Sequence, residues 1–189
     1  MLEMDIRKNS EYIVKIGENK MDNLKQFKTE EIIELIKEGK VTVADIVDSG
    51  ICPTCFDKEN NNILYSNNTD KIIFSNEDFE CFLVGNPRAD GHVAISTKKH
   101  FKDMMEIDDK TCSEIFLLAK KIMNILKEVY NAESVYLCTM CDGPMNHFHI
   151  QLIPRYSFEK RGSKNFVKPR FEYKKDKEKL KQLRNSLNY

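Results

Sequence analysis

No apolar run in this 189-residue chain approaches the ~18 residues that a membrane-spanning helix requires, so no membrane span is expected. The opening residues, Met1-Leu2-Glu3-Met4-Asp5, lack the apolar stretch of a secretory signal, and a cytoplasmic protein is the resulting expectation. Internal repeats and low-complexity tracts are missing too, which argues against repeat architectures and linker-like segments. There is no net charge, because 30 Lys and Arg balance 30 Asp and Glu. Histidine is scarce, with four in the chain. The length suits one domain with an appended element, enough to bury a proper core. In a reducing compartment the six cysteines argue for metal binding or core packing over disulfides.

The charge is balanced over the whole chain but not evenly spread along it. From Arg155 to Tyr189 there are 12 Lys and Arg against 4 Asp and Glu, so the preceding 154 residues are acidic by the same margin. One reading is a solvated, charged C-terminal helix over residues 173–186. The other is a basic flank beside an anionic substrate or a nucleic acid.

Patterning predicts an α+β domain. Thr29 to Glu38 reads as a short helix with Ile32, Ile33, Leu35 and Ile36 as its stripe and Gly39 as its stop. Lys40 to Val47 is ambiguous. Asp48-Ser49-Gly50 leads into Cys52-Pro53-Thr54-Cys55, read as a tight turn, and Asp57 to Asn62 reads as a polar loop. Short β-branched or aromatic runs at Ile63–Tyr65, Lys71–Ser75, Phe79–Gly85 and His92–Thr97 read as strands. Thr111, with Glu114 in a capping box, opens a long helix whose apolar stripe is Ile115, Leu118, Ile122, Leu126 and Val129. Ser134–Met140 and His147–Pro154 are further strands. The organisation expected is an N-terminal helical appendage over 1–50, a main domain over 51–156, and a basic C-terminal extension over 157–189.

The most informative segment is His147-Phe148-His149-Ile150-Gln151-Leu152-Ile153-Pro154. Polar and apolar residues alternate there, as on a half-buried strand. His147, His149 and Gln151 then share one face at a spacing of about 7 Å, with Phe148, Ile150 and Leu152 in the core behind. A neutral imidazole at His149 can attack phosphorus if one ring nitrogen is held by a hydrogen bond and the other keeps its lone pair. Gln151 can donate its amide to a phosphate oxygen as charge builds, but it cannot deliver a proton to a leaving group. Metal ligation by both histidines, and a plain core role, stand as alternatives.

Cys52 and Cys55 have zinc-knuckle spacing, and His100 and His147 would complete a closed Cys2His2 set of the structural kind. A redox pair, or no special role, are the alternatives for the two cysteines. Of the other thiols, Cys138 reads as core, Cys141 is undetermined, and Cys81 and Cys112 read as ordinary buried thiols. His92, after Gly91, reads as structural.

Together these residues resemble the histidine-triad (HIT) superfamily, whose motif is His-φ-His-φ-His-φ-φ with φ apolar. Here it reads His147-Phe148-His149-Ile150-Gln151-Leu152-Ile153. The segment from Gly91 to His100 looks like the family's Pro-Gly-His-x-Leu-Val-Ile-Pro-Lys-x-His stretch, and Cys52 to Cys55 like the Cys-x-x-Cys of its zinc-bearing members. The resemblance covers roughly residues 50–156. It implies the HIT-like fold, an antiparallel sheet with a long packed helix. It also implies action at the α-phosphate of a nucleotide or dinucleoside polyphosphate, with His149 as the residue that becomes nucleotidylated. Glutamine in the third place is the form of galactose-1-phosphate uridylyltransferases and diadenosine polyphosphate phosphorylases, which favours a transferase or phosphorylase over a hydrolase. In the former the first histidine, here His147, joins a structural Zn2+ site. The family's Gly-Gln-Ser/Thr loop is replaced by Asp142-Gly143-Pro144-Met145-Asn146, so Asn146, with Gln151, is the expected nucleotide contact. A homodimer is a further implication. The rival from another class is a catalytically silent nucleotide-binding or adaptor protein of the same fold.

Overall fold

The computed structural model describes residues 24–65, 69–141 and 143–188. The first part of the expected N-terminal appendage, residues 1–23, and Asp142 of the loop before His147 lie outside them. The chain divides between Leu64 and Tyr65 into two units.

In the first unit, helices α1 (Thr29–Lys37), α2 (Val43–Asp48) and α3 (Pro53–Glu59) gather Leu24, Ile32, Val41, Ile46 and Phe56 into a small core. The ambiguous stretch after Lys40 resolves as helix because Thr42 caps it. The Thr42 hydroxyl accepts from the Asp45 N–H (3.3 Å), and the Asp45 carboxylate accepts from the Thr42 N–H (2.7 Å). The segment read as a tight turn at Cys52–Cys55 is instead a helix start. Cys52 is the N-cap, Pro53 follows with its φ already suited to the first turn, and Cys55 lies within that turn. Ile63–Tyr65 forms no strand; the Leu64 N–H is taken by the Asp57 carboxylate at 2.7 Å.

The second unit is built on an antiparallel sheet of β1 (Ile72–Ser75), β2 (Phe79–Leu83), β3 (Val93–Thr97), β4 (Ser134–Cys138) and β5 (His149–Arg155), in the order β1-β2-β3-β5-β4. Alternation sorts the side chains. Cys81, Leu83, Val93, Ile95, Ile150 and Leu152 point to one face and pack against helix α4 (Asp109–Tyr130) through Ile115, Ala119, Ile122 and Leu126. Each such apolar side chain contributes about 1.5–3 kcal/mol on burial. The helix begins two residues before Thr111. Asp108 is its cap, accepting from the Thr111 N–H at 2.9 Å, and the Thr111 hydroxyl donates to the same carboxylate. A carboxylate at the helix N-terminus also meets the positive end of the dipole, which explains why it displaces the expected Thr111–Glu114 box.

The opposite face carries His149 and Gln151, with Ser96 and Ala94 beside them on β3 and Cys138 beside Gln151 on β4. Cys138, read as core, therefore lies on the polar face, while Cys141 packs against the core. Beyond Arg155 the chain returns over this face. The Phe166 ring lies 5.0 Å from that of Tyr136, and residues 171–173 hydrogen-bond to the loop before β3 (Phe171 N–H to Pro87 carbonyl 3.0 Å, Tyr173 N–H to Gly85 carbonyl 3.1 Å). This strap explains why Gln151, Ile153 and Arg155 are buried although they face away from α4. The basic tail ends in helix α5 (Lys177–Leu187), which buries Leu180, Leu183 and Leu187 in the main core. Their spacing of three and four is one stripe of an otherwise charged helix.

Candidate active site

His149 is the first residue of β5 and is partly exposed. Its Nδ1 lies 2.8 Å from the carbonyl oxygen of His147. A carbonyl can only accept, so Nδ1 carries the proton and Nε2 keeps its lone pair. The sequence alone required some such partner for a nucleophilic imidazole; here it is main chain, two residues back on the same segment.

Gln151 is buried and held at both ends. Its Nε2 stands 3.4 Å from His149 Nε2, and its Oε1 stands 3.1 Å from His92 Nε2. His92 is itself fixed, because its Nδ1 accepts from the Arg88 N–H at 3.1 Å. The proton of His92 is therefore on Nε2, which donates to the glutamine oxygen and turns the glutamine NH2 toward His149. His92 is 1 % exposed and its pKa is lowered to about 4. Burial is the main cause, and the Arg170 charge adds to it, with smaller contributions from Arg88 and His149, against the opposing hydrogen bond that His92 donates to Gln151. A neutral ring is what the arrangement needs, since a proton on Nδ1 would face the Arg88 N–H head on.

His92, which reads from the sequence as structural, thus holds Gln151 in the orientation that faces His149. The signal was its parity. His92, Ala94 and Ser96 share one face, and Ala94 and Ser96 stand opposite Gln151 and His149. Arg88 and Arg170 were also passed over, and no pattern near either marks it.

His147 does not share the strand face with His149. It precedes β5, and its Nε2 donates to the Thr97 carbonyl at 2.8 Å. That leaves Nδ1 as its lone-pair nitrogen. The His147 and His100 rings meet edge to face with centroids 5.2 Å apart. In the first unit, Cys52 and Cys55 adjoin one another across the first turn of α3. The Cys55 thiol is pushed up to about 12 by burial first, then by the hydrogen bond and charge of Cys52. Asn146 is not aimed at the histidine pair by any hydrogen bond: its side-chain NH2 donates to the Lys102 carbonyl.

An antiparallel sheet backed by one long helix, with His149 and Gln151 of a His-x-His-x-Gln segment on its other face, defines the class as an α+β domain with an imidazole at the start of a central strand. The HIT domain family model matches residues 65–158. An uncharacterized HIT-like protein of Borreliella burgdorferi is 31% identical over 103 residues, spanning 51% of this chain and 74% of that protein. The nitrilase and fragile histidine triad fusion protein NitFhit of Caenorhabditis elegans is 30% identical over 91 residues, spanning 46% of this chain and 20% of that protein, so the likeness is to a fifth of it. The chain belongs to the HIT family. Its fold is HIT-like, as in the hypothetical histidine triad nucleotide-binding protein of Sulfolobus tokodaii (TM-score 0.51, 25% identity, 62% of this chain and 83% of that one). A zinc-bound histidine triad family protein from Mycobacterium smegmatis shares the fold at a TM-score of 0.50 and 20% identity, over 62% of this chain and 83% of that one.

Proposed function

We propose that this protein is a nucleotidyl-transfer enzyme acting on nucleoside polyphosphates or dinucleoside polyphosphates through a nucleotidyl-His149 intermediate. The observation that carries the reading is the hydrogen bond from His149 Nδ1 to the His147 carbonyl, which leaves Nε2 as a nucleophile. His149 Nε2 donates its electron pair to the α-phosphorus, and the bond from phosphorus to the departing phosphate oxygen breaks with its pair leaving on that oxygen. The ring then carries a positive charge, and the His147 carbonyl, still accepting from Nδ1, stabilises it. Gln151, oriented by His92, offers its NH2 to a non-bridging oxygen as negative charge builds there. In the second half an acceptor oxygen attacks phosphorus and His149 departs with its lone pair restored.

The acceptor class follows from Gln151. An amide cannot relay a proton, and among the described residues no carboxylate hydrogen-bonds to His149 or Gln151 to activate water. A phosphate or phosphate-ester acceptor, already anionic, needs none, which supports the phosphorylase or transferase branch over the hydrolases.

We also assign a structural Zn2+ to Cys52, Cys55, His100 and His147, within a functional domain running from 51 to 156. Each residue offers one ligand atom, and two thiolates with two imidazoles form a set that zinc accepts. The hydrogen bond from His147 Nε2 to the Thr97 carbonyl supports this: zinc-bound histidines commonly donate their second nitrogen in this way, and Nδ1 would be the ligand. Zinc would give the ionised thiols the positive partner they need. It would tie the segment leading into β5 in place and leave the chemistry to His149.

Turnover of a panel of nucleoside and dinucleoside polyphosphates, with and without added phosphate, tests the reading. His149→Ala should abolish turnover, and added phosphate should accelerate the wild type. Turnover that survives in His149→Ala would overturn it.

A further inference from the structure

We propose that Arg88 and Arg170 form the subsite that receives the departing phosphate chain. The proposal rests on the nucleotidyl-transfer reading of His149 and adds to it where the leaving group binds.

The two arginines lie 82 residues apart in sequence, and each braces the backbone two residues before the other. The Arg88 guanidinium donates to the Lys168 carbonyl of the strap, and the Arg170 guanidinium donates to the Asn86 carbonyl, 2.8 Å away, in the loop before β3. Their charges are close enough to be felt. The pKa of Arg170 is lowered, by burial first and then by Arg88. Among the described residues neither guanidinium forms an ion pair with a carboxylate. Arg88 Nε is buried with no hydrogen-bond partner. Bracing a carbonyl needs only a neutral donor such as an amide. Two neighbouring cations without a carboxylate partner, one of them exposed and the other with a buried donor to spare, suit an anion that binds between them.

The Arg88 segment adjoins the start of β3, whose far end pairs with His149, and it reaches the site through His92 and Gln151. The Arg88 main-chain N–H holds His92, which orients Gln151. Both charges act on His92, and Arg88 acts on Cys138, whose backbone stands opposite Gln151. The chemistry calls for cations here. When the phosphorus–oxygen bond breaks, its electron pair stays on the leaving oxygen, and Gln151 has no proton to give it. Two guanidiniums, whose planar forks fit phosphate oxygens, can carry that charge instead. The substrate class this selects has at least one anionic phosphate beyond the α-phosphate.

Calorimetric titration of the full chain with inorganic tripolyphosphate tests the subsite without turnover. We expect binding by the wild type that weakens with added salt. Arg170→Gln, which keeps an amide to donate to Asn86, should bind about tenfold more weakly, as expected on losing one charge-assisted contact. Arg170→Lys should recover part of the loss. In turnover, Arg170→Gln should lower kcat/KM about tenfold or more on a dinucleoside polyphosphate. Tripolyphosphate bound equally by wild type and Arg170→Gln, or not bound by the wild type, would overturn the subsite. A subsite that binds normally while no nucleotide ever attaches to His149 would refute the reaction instead, so the two failures are distinguishable.

Discussion

Acidification should unfasten the link between His92 and Gln151 before it unfolds the sheet. In the native protein His92 accepts at Nδ1 and donates at Nε2, both at 3.1 Å, so a second proton has nowhere to go. Its folded pKa of about 4 lies below the ordinary 6.5. Between those values the unfolded chain binds the extra proton and the folded chain does not. The stabilisation is therefore fully present above about pH 6.5 and is lost as pH falls toward 4, by roughly 2–3 kcal/mol between pH 7.5 and pH 4.5. His92→Phe retains most of the ring volume but strands the Arg88 N–H and the Gln151 Oε1. Each buried unpaired group costs about 1–3 kcal/mol, so the variant should be roughly 2–6 kcal/mol less stable than wild type at pH 7.5. Urea denaturation of both proteins across this range is the assay. Carboxylates titrate alike in the two and cancel in the difference. The gap between them should narrow by roughly 2–3 kcal/mol on reaching pH 4.5. A gap that stays constant would refute the claim that His92 is held neutral.

Three further outcomes are expected. Leu183→Ala should cost about 2–5 kcal/mol in urea melts, because the side chain is fully buried and the tail helix belongs to the core; a change below about 0.5 kcal/mol would mean that α5 is dispensable. Gly91→Ala should destabilise by about 1–3 kcal/mol and lower turnover, since φ is +70° there and a Cβ would stand 2.9 Å from the Tyr130 ring, one residue from His92; equal stability would contradict that packing. Elemental analysis should find one zinc per chain. Cys52→Ser and Cys55→Ser should lose it and Cys138→Ser retain it, whereas zinc retained by the first two would remove them from the ligand set.

The sheet and the long helix were legible because their signals are periodic and strong. Alternation in residues 147–154 located the central strand, and a five-residue apolar stripe located α4. The motif also pointed to His149 and Gln151 as neighbours, since parity alone puts them on one face. What the sequence hid was set by tertiary hydrogen bonds. His147 looks like strand, but its ring turns to the Thr97 carbonyl ahead of β5. Cys52–Cys55 reads as a turn through its proline, yet proline at a first helical position starts α3. Ile63–Tyr65 has strand composition, but Asp57 takes the Leu64 N–H. The strap was the largest omission. Its charge suggested a solvated tail or a basic flank, and only packing reveals that Phe166 covers Tyr136 and that Leu180, Leu183 and Leu187 enter the core. His92 was hidden for a related reason: a buried histidine looks the same in sequence whether it fills space or orients an amide.

Mass spectrometry of the protein, quenched in alkali during reaction with a dinucleoside polyphosphate, tests the central claim most directly. A mass increase of one nucleoside monophosphate, mapped to the peptide containing His149 and missing in His149→Ala, is the predicted result. Turnover with no nucleotide attached to the protein at any time, or with the nucleotide on another residue, would contradict it.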